Sequence, residues 1–149
     1  MLIFEKSILI KSDIDKLFSF HRDPNNLSKI SPSFVKVNIK SISELPLEKD
    51  SYAFLEIKVL GFNTSWEVKI KECVEPHLVK DIQIRGLFKY WQHDHIFEQQ
   101  GSYVKMTDRV EYLPPFGFWG YVFTPVIYFV LRSMFKFRHQ KTKKLFEKA

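Results

Sequence analysis

GLFKYWQHDHIFEQQGSYVKMTDRVEY, residues 86–112, alternates apolar and polar side chains on both sides of QQGS. That is the pattern of a β-hairpin with one covered and one wet face. A two-residue turn at Gln100-Gly101 sets Trp91 opposite Val110, His93 opposite Asp108, His95 opposite Met106 and Phe97 opposite Val104. All eight fall on the covered face. Gln92, Asp94, Glu98, Lys105, Arg109 and Glu111 fall on the other, a solvent face. A one-residue slip would expose Trp91 and Phe97, so polarity pins the face. The covered side therefore carries three titratable groups, His93, His95 and Asp108, among large apolar ones.

Outward from the hairpin, the chain reads as a strand at 2–10, then KSDIDKLFSFHRD as a helix with Ser12 as N-cap. A second short helix has Asp23 as N-cap and Pro24 at its first position. Strands follow at 34–42, 51–60, 65–74, 78–86, 89–98 and 103–112, joined by short turn-like links, which predicts an antiparallel meander. After Tyr112 the pattern changes. Thr124-Pro125 opens a helix over about 125–147. Residues 112–131 carry no charge, yet prolines and glycines interrupt them, so a buried helix is expected rather than a membrane span. The order predicts an α+β domain over 1–149. Its seven-stranded antiparallel sheet is curved, two short helices follow strand 1, and the last helix lies across the concave face.

Composition bounds the function. The 149 residues, 45% hydrophobic and 27% charged, suit one globular domain with a sizeable core. Fifteen phenylalanines can fill that core or line a cavity for an apolar guest. A single cysteine, Cys73, excludes an intramolecular disulfide and a cysteine metal cluster, and reads as inert. It fits a reducing cytosol, and the first residues lack the basic-then-apolar order of a secretory signal, so a cytoplasmic protein is expected. The net charge of +6 resides entirely in residues 132–149. A basic terminal helix with no charge spread over the body and no nucleic-acid motif argues against nucleic acid as partner. It leaves weak peripheral membrane contact open, beside a plain solvated face. No cofactor motif is present.

HRDPNNLSKISP (21–32), SWEVKI (65–70), VKDIQIRGLFKYWQHDHIFE (79–98), MTDRVEYLPPFGFWG (106–120) and LRSMFKFR (131–138) resemble the SRPBCC, or START-related, superfamily, in particular its small bacterial ligand-binding, polyketide cyclase/dehydrase-like members. Leu87 departs from the pattern, standing where this subgroup often has proline after the glycine. The resemblance implies a helix-grip fold with a cavity between sheet and terminal helix. It implies no single activity, since the superfamily includes lipid carriers, hormone receptors, cyclases and quinone-binding proteins. It also implies that Asp81 and Gln83 face the cavity, whereas binary patterning alone would send Ile82 and Ile84 inward.

Three readings of His93, His95 and Asp108 compete. Two histidines in H-x-H on a strand point the same way and Asp108 could join them on a metal, but Glu98 faces away and neither His77 nor His139 is brought near by the pattern. A His93–Asp108 pair could serve as general acid/base in a cyclase- or dehydratase-type enzyme. The expected reading is a hydrogen-bonded polar set at one end of an apolar ligand pocket, with no metal. Trp66, Trp91, Phe97, Met106 and Tyr112 are expected to supply apolar wall, with Asp81, Gln83, His93, His95 and Asp108 as the polar part. His21 reads as a cap or packing residue.

Overall fold

The computed structural model describes residues 1–148. Its strands are β1 (Leu2–Lys11), β2 (Val35–Ile42), β3 (Tyr52–Val59), β4 (Phe62–Val74), β5 (Leu78–Arg85), β6 (Tyr90–Gln100) and β7 (Tyr103–Leu113). They form one antiparallel sheet in the order β1-β7-β6-β5-β4-β3-β2. Every neighbour but β1–β7 is a chain neighbour, as short links require. Helix α1 (Ile14–His21) and a 3-10 helix (Pro24–Lys29) connect the two edge strands. Asp13, not Ser12, caps α1, its carboxylate accepting from the Asp15 and Lys16 amides. Asp23 caps the 3-10 helix as expected.

Helix α2 (Gly117–Val122) leads into α3 (Thr124–Glu147), which closes the concave face. α3 buries Leu131, Met134, Phe135, His139 and Thr142. These positions recur every three or four residues, so they make one stripe. The architecture is the α+β helix-grip expected from the element order.

Two apolar clusters lie between the sheet and the helices. Trp66, Trp91, Val110, Tyr112, Leu131 and Phe135 belong to one. Leu17, Phe18, Ile70, Phe97, Val104 and Met106 belong to the other. The strands and helix run through both, and between them each carries polar residues: His93 and His95 on β6, Asp108 on β7 and His139 on α3.

The hairpin register differs from expectation by two residues. Gln100 pairs with Tyr103, so the turn is Gly101-Ser102. Gly101 takes φ 62°, and Ser102 stays out of the left-handed region. A positive φ at the first central position alone is the type II′ arrangement, which favours glycine there. Trp91 therefore faces Tyr112, His93 faces Val110, His95 faces Asp108 and Phe97 faces Met106. Because side chains alternate with period two, the shift leaves every residue on its expected face.

Two other expectations need correction. Gln92 and Asp94 lie on the convex face but are buried, each 8% exposed. Gln92 donates to Asp94 and accepts from Tyr90 Oη, and Lys80 reaches over Asp94 at 4.0 Å. The uncharged stretch before Arg132 is not buried. Phe116, Phe118, Trp119, Tyr121, Phe123, Val126 and Phe129 are exposed, with Phe116 at 77%. Among the described residues no helix is long and apolar enough to cross a membrane.

Candidate functional site

Sheet and α3 enclose a cavity of about 340 Å³, within the range of small-molecule sites. Its wall is mostly apolar: Leu55, Trp66, Val68, Phe88 and Trp91 from the sheet side, and Val126, Ile127, Val130, Leu131 and Met134 from α3. Trp66 and Trp91 meet edge to face at 5.3 Å, a favourable aromatic geometry that stiffens the wall. One corner is polar, formed by His21, Asp81, His93, His95 and Arg138. A smaller void of about 30 Å³ lies behind that corner, bounded by Met106, Asp108, Phe135 and His139.

Asp108 organises the polar region. Its Oδ1 accepts a hydrogen bond from His93 Nε2 at 2.7 Å, and its Oδ2 accepts one from His139 Nε2 at 2.5 Å. His95 Nδ1 lies 3.1 Å from Oδ1 but off the hydrogen-bond direction, so that contact is ionic. On the cavity side, His95 Nε2 donates to Asp81 Oδ2 at 3.2 Å, and His93 Nδ1 is 4.0 Å from the same oxygen. His93 reaches Asp108 diagonally across the strand pair, while His95 sits directly opposite it.

Burial, the largest influence on Asp108, opposes its ionisation, but the hydrogen bonds from His139 and His93, with His95 close beside them, hold its carboxyl well below the usual range. Burial also lowers the basicity of His95, yet the Asp108 and Asp81 carboxylates more than offset it and raise its pKa to about 10. His93 is shifted down, by burial and then by the charge on His95. The site thus pairs a charged imidazole with a neutral one. His21, whose Nδ1 bonds the Leu17 carbonyl at 2.9 Å, is pushed down to about 4, mainly by burial and next by His95. Burial brings Arg138 down to about 10, against the pull of Asp108 and Asp81.

Of the ten residues picked out from the sequence, Trp66, Asp81, Trp91, His93 and His95 line the main cavity. Asp108 and Met106 stand one layer back, at the small void. Phe97 and Tyr112 are corrections: both are packed into the core, Phe97 against Phe18 and Tyr112 against Phe88 and Trp91. Gln83 shares the face of Asp81, but its amide bonds both the carbonyl and the N–H of Phe88 and so braces the β5–β6 loop. The sequence reading missed His139 and Arg138. The signal for His139 was present: it stands four residues after Phe135 and three before Thr142 on the buried stripe. Nothing local marked Arg138, which stands beside it and reaches the cavity corner.

No family model and no curated protein matches the sequence. Solved structures do match the fold. A Chromobacterium violaceum protein superposes with TM-score 0.76 at 10% identity, covering 99% of each chain. A START superfamily protein from Mycobacterium smegmatis gives 0.73 at 12% identity, covering 98% of this chain and 97% of that one. A major latex-like protein from Panax ginseng gives 0.61 at 17% identity, covering 74% and 78%. Likeness over nearly the whole chain shows that this helix-grip fold is shared with solved structures that include a START superfamily protein.

Proposed function

We propose that the protein binds a small, largely apolar molecule between the sheet and α3, with the polar end of the guest at Asp81, His93, His95 and Arg138. The observation that carries this reading is the cavity itself, mostly apolar, with Asp81, His93, His95 and Arg138 grouped at one corner and only Asp23, Asn26 and Thr64 as polar lining besides them and His21. The apolar wall supplies affinity and the corner supplies orientation. A lipid, quinone or polyketide-like molecule has this two-ended character. The START superfamily relative supports the reading at the level of fold.

The test is native mass spectrometry of the protein from its own cells, followed by lipid extraction and displacement of a bound fluorescent apolar probe. Trp91→Ala removes wall and should weaken retention, whereas His93→Gln should largely preserve it. Equal retention in Trp91→Ala and wild type would refute the cavity as the site. Turnover of a recovered molecule that vanishes in His93→Gln with binding intact would instead support cyclase- or dehydratase-type acid/base chemistry by the His93–Asp108 pair.

A second reading, that the carrier loads and unloads at an anionic bilayer, is favoured by the exposed aromatic surface of α2 and the first turns of α3. Phe118, Trp119 and Phe129 are 74%, 65% and 68% exposed, a composition suited to the membrane interface. Val126, Ile127 and Val130 continue from that surface into the cavity wall. Arg132 and Lys136 follow on the same helix, both exposed.

A further inference from the structure

We propose that Asp81, His93 and His95 form a site for one divalent transition-metal ion at the polar corner of the cavity, with Asp108 behind both imidazoles and hydrogen-bonded to His93. The donor atoms come from two adjacent strands. Asp81 on β5 pairs directly with His93 on β6, and His95 follows two residues later on the same face. One donor from each residue lies within 4.8 Å of the others. Asp81 Oδ2 is 3.2 Å from His95 Nε2 and 4.0 Å from His93 Nδ1. Ligands at metal bonds of about 2.1 Å stand roughly 3.0–3.5 Å apart. His95 and Asp81 already match that spacing, and His93, 4.0 Å from the same carboxylate oxygen, would move in to close the site.

The arrangement behind the donors separates a metal site from an ordinary polar cluster. Each imidazole has two nitrogens. Here one nitrogen of each histidine lies toward Asp81 and the cavity, and the other lies against Asp108 Oδ1, at 2.7 Å for His93 and 3.1 Å for His95. Metal-bound histidines characteristically give the far N–H to a carboxylate, which sets tautomer and ring orientation and strengthens the ligand; His93 makes that bond to Asp108, while His95 Nδ1 faces the same oxygen without one. Asp108 is itself fixed by His139 from α3. A simple His–Asp pair would need neither the second histidine nor the second carboxylate.

Two imidazoles and one carboxylate favour zinc, iron, cobalt or manganese over magnesium or calcium. All three donors line the main cavity, so the remaining coordination positions open toward the bound molecule. Arg138 lines the same corner. An amphipathic guest whose polar end is an anionic oxygen, such as a carboxylate or enolate, would complete the metal shell and meet the guanidinium. The metal site rests on the donor geometry alone; only this last step depends on the apolar-ligand reading.

The test uses the full chain, stripped with chelator and dialysed, then titrated with Zn²⁺ by calorimetry and with Co²⁺ by visible absorption at neutral pH. One equivalent should bind, and Co²⁺ should show the ligand-field bands of nitrogen and oxygen coordination. Asp81→Asn and His95→Gln should each weaken binding by about 10–100-fold or more, and His77→Gln should not. Trp91→Ala should keep the metal while losing the apolar probe, so the two readings fail separately. If circular dichroism shows that His95→Gln does not fold, Asp81→Asn carries the test, because that change keeps the size and shape of the side chain and removes only its charge. No uptake by the wild-type chain, or uptake undiminished in Asp81→Asn, would overturn the proposal.

Discussion

Replacing Asp108 by alanine should be among the most damaging single changes in this protein. The carboxylate is 5% exposed and accepts hydrogen bonds at 2.7 and 2.5 Å from His93 and His139. It also lies 3.1 Å from the charged His95. Removal leaves two imidazole N–H groups stranded and takes one of two counter-charges from a buried cation. Breaking a buried pair in this way costs about 3–5 kcal/mol, or roughly 6–20 °C of Tm for a domain of this size. Asp94 is a fair control, being similarly buried on the other face, with Lys80 4.0 Å away and Gln92 at 3.2 Å. It keeps one neutral hydrogen bond and one ion pair at the 4.0 Å limit, so Asp94→Ala should cost about 1–2 kcal/mol. Urea unfolding followed by circular dichroism, with chelator present, measures both. His139→Ala combined with Asp108→Ala should cost clearly less than the two single changes added, because both remove the same bond. An Asp108→Ala protein within about 1 kcal/mol of wild type, or no worse than Asp94→Ala, would refute the view that this carboxylate staples α3 to the sheet.

Stability of the metal-free protein should peak near pH 6.5. His95, facing Asp81, Asp108, His93 and His21, has a folded value raised to about 10, so its contribution is complete below 6.5 and fades as pH rises toward 10. His21, facing His95, Asp108, His139 and the Leu17 carbonyl, has a folded value lowered to about 4, so its contribution is present above 6.5 and fades as pH falls toward 4. Urea midpoints that keep rising above pH 6.5 would contradict this, and His21→Asn should flatten the acid side. In liposome flotation, binding to anionic vesicles should fall with added salt, since each basic group near the surface contributes ~1 kcal/mol. Phe118→Ser with Trp119→Ser should abolish flotation, while neutralising Lys141, Lys143 and Lys144 should only weaken it. No flotation of the wild-type chain in any lipid would remove the bilayer reading.

How much could be read without coordinates follows from the range of the forces involved. Period-two alternation, the Asp23-Pro24 helix start and the long terminal helix are local, and each appears in a window of a dozen residues. From their order the chain has few ways to cover a curved antiparallel sheet, so the helix-grip and the inward face of His93, His95 and Asp108 followed. The turn was harder, because one glycine fits either central position of a two-residue loop. Gly101 took the first, and the partner of Asp108 changed from His93 to His95 while the face stayed the same. Which inward residues reach the cavity depends on how side chains from distant strands fill the remaining volume. Phe97 and Tyr112 became core by packing against Phe18 and Phe88, partners 79 and 24 residues away in sequence. The meeting of His139 with Asp108, 31 residues apart, needed α3 to be laid over β7 at one rotation. Buried charge pairs only when tertiary structure brings its partners together, so the apolar frame was legible in the sequence and the polar centre was decided by the fold.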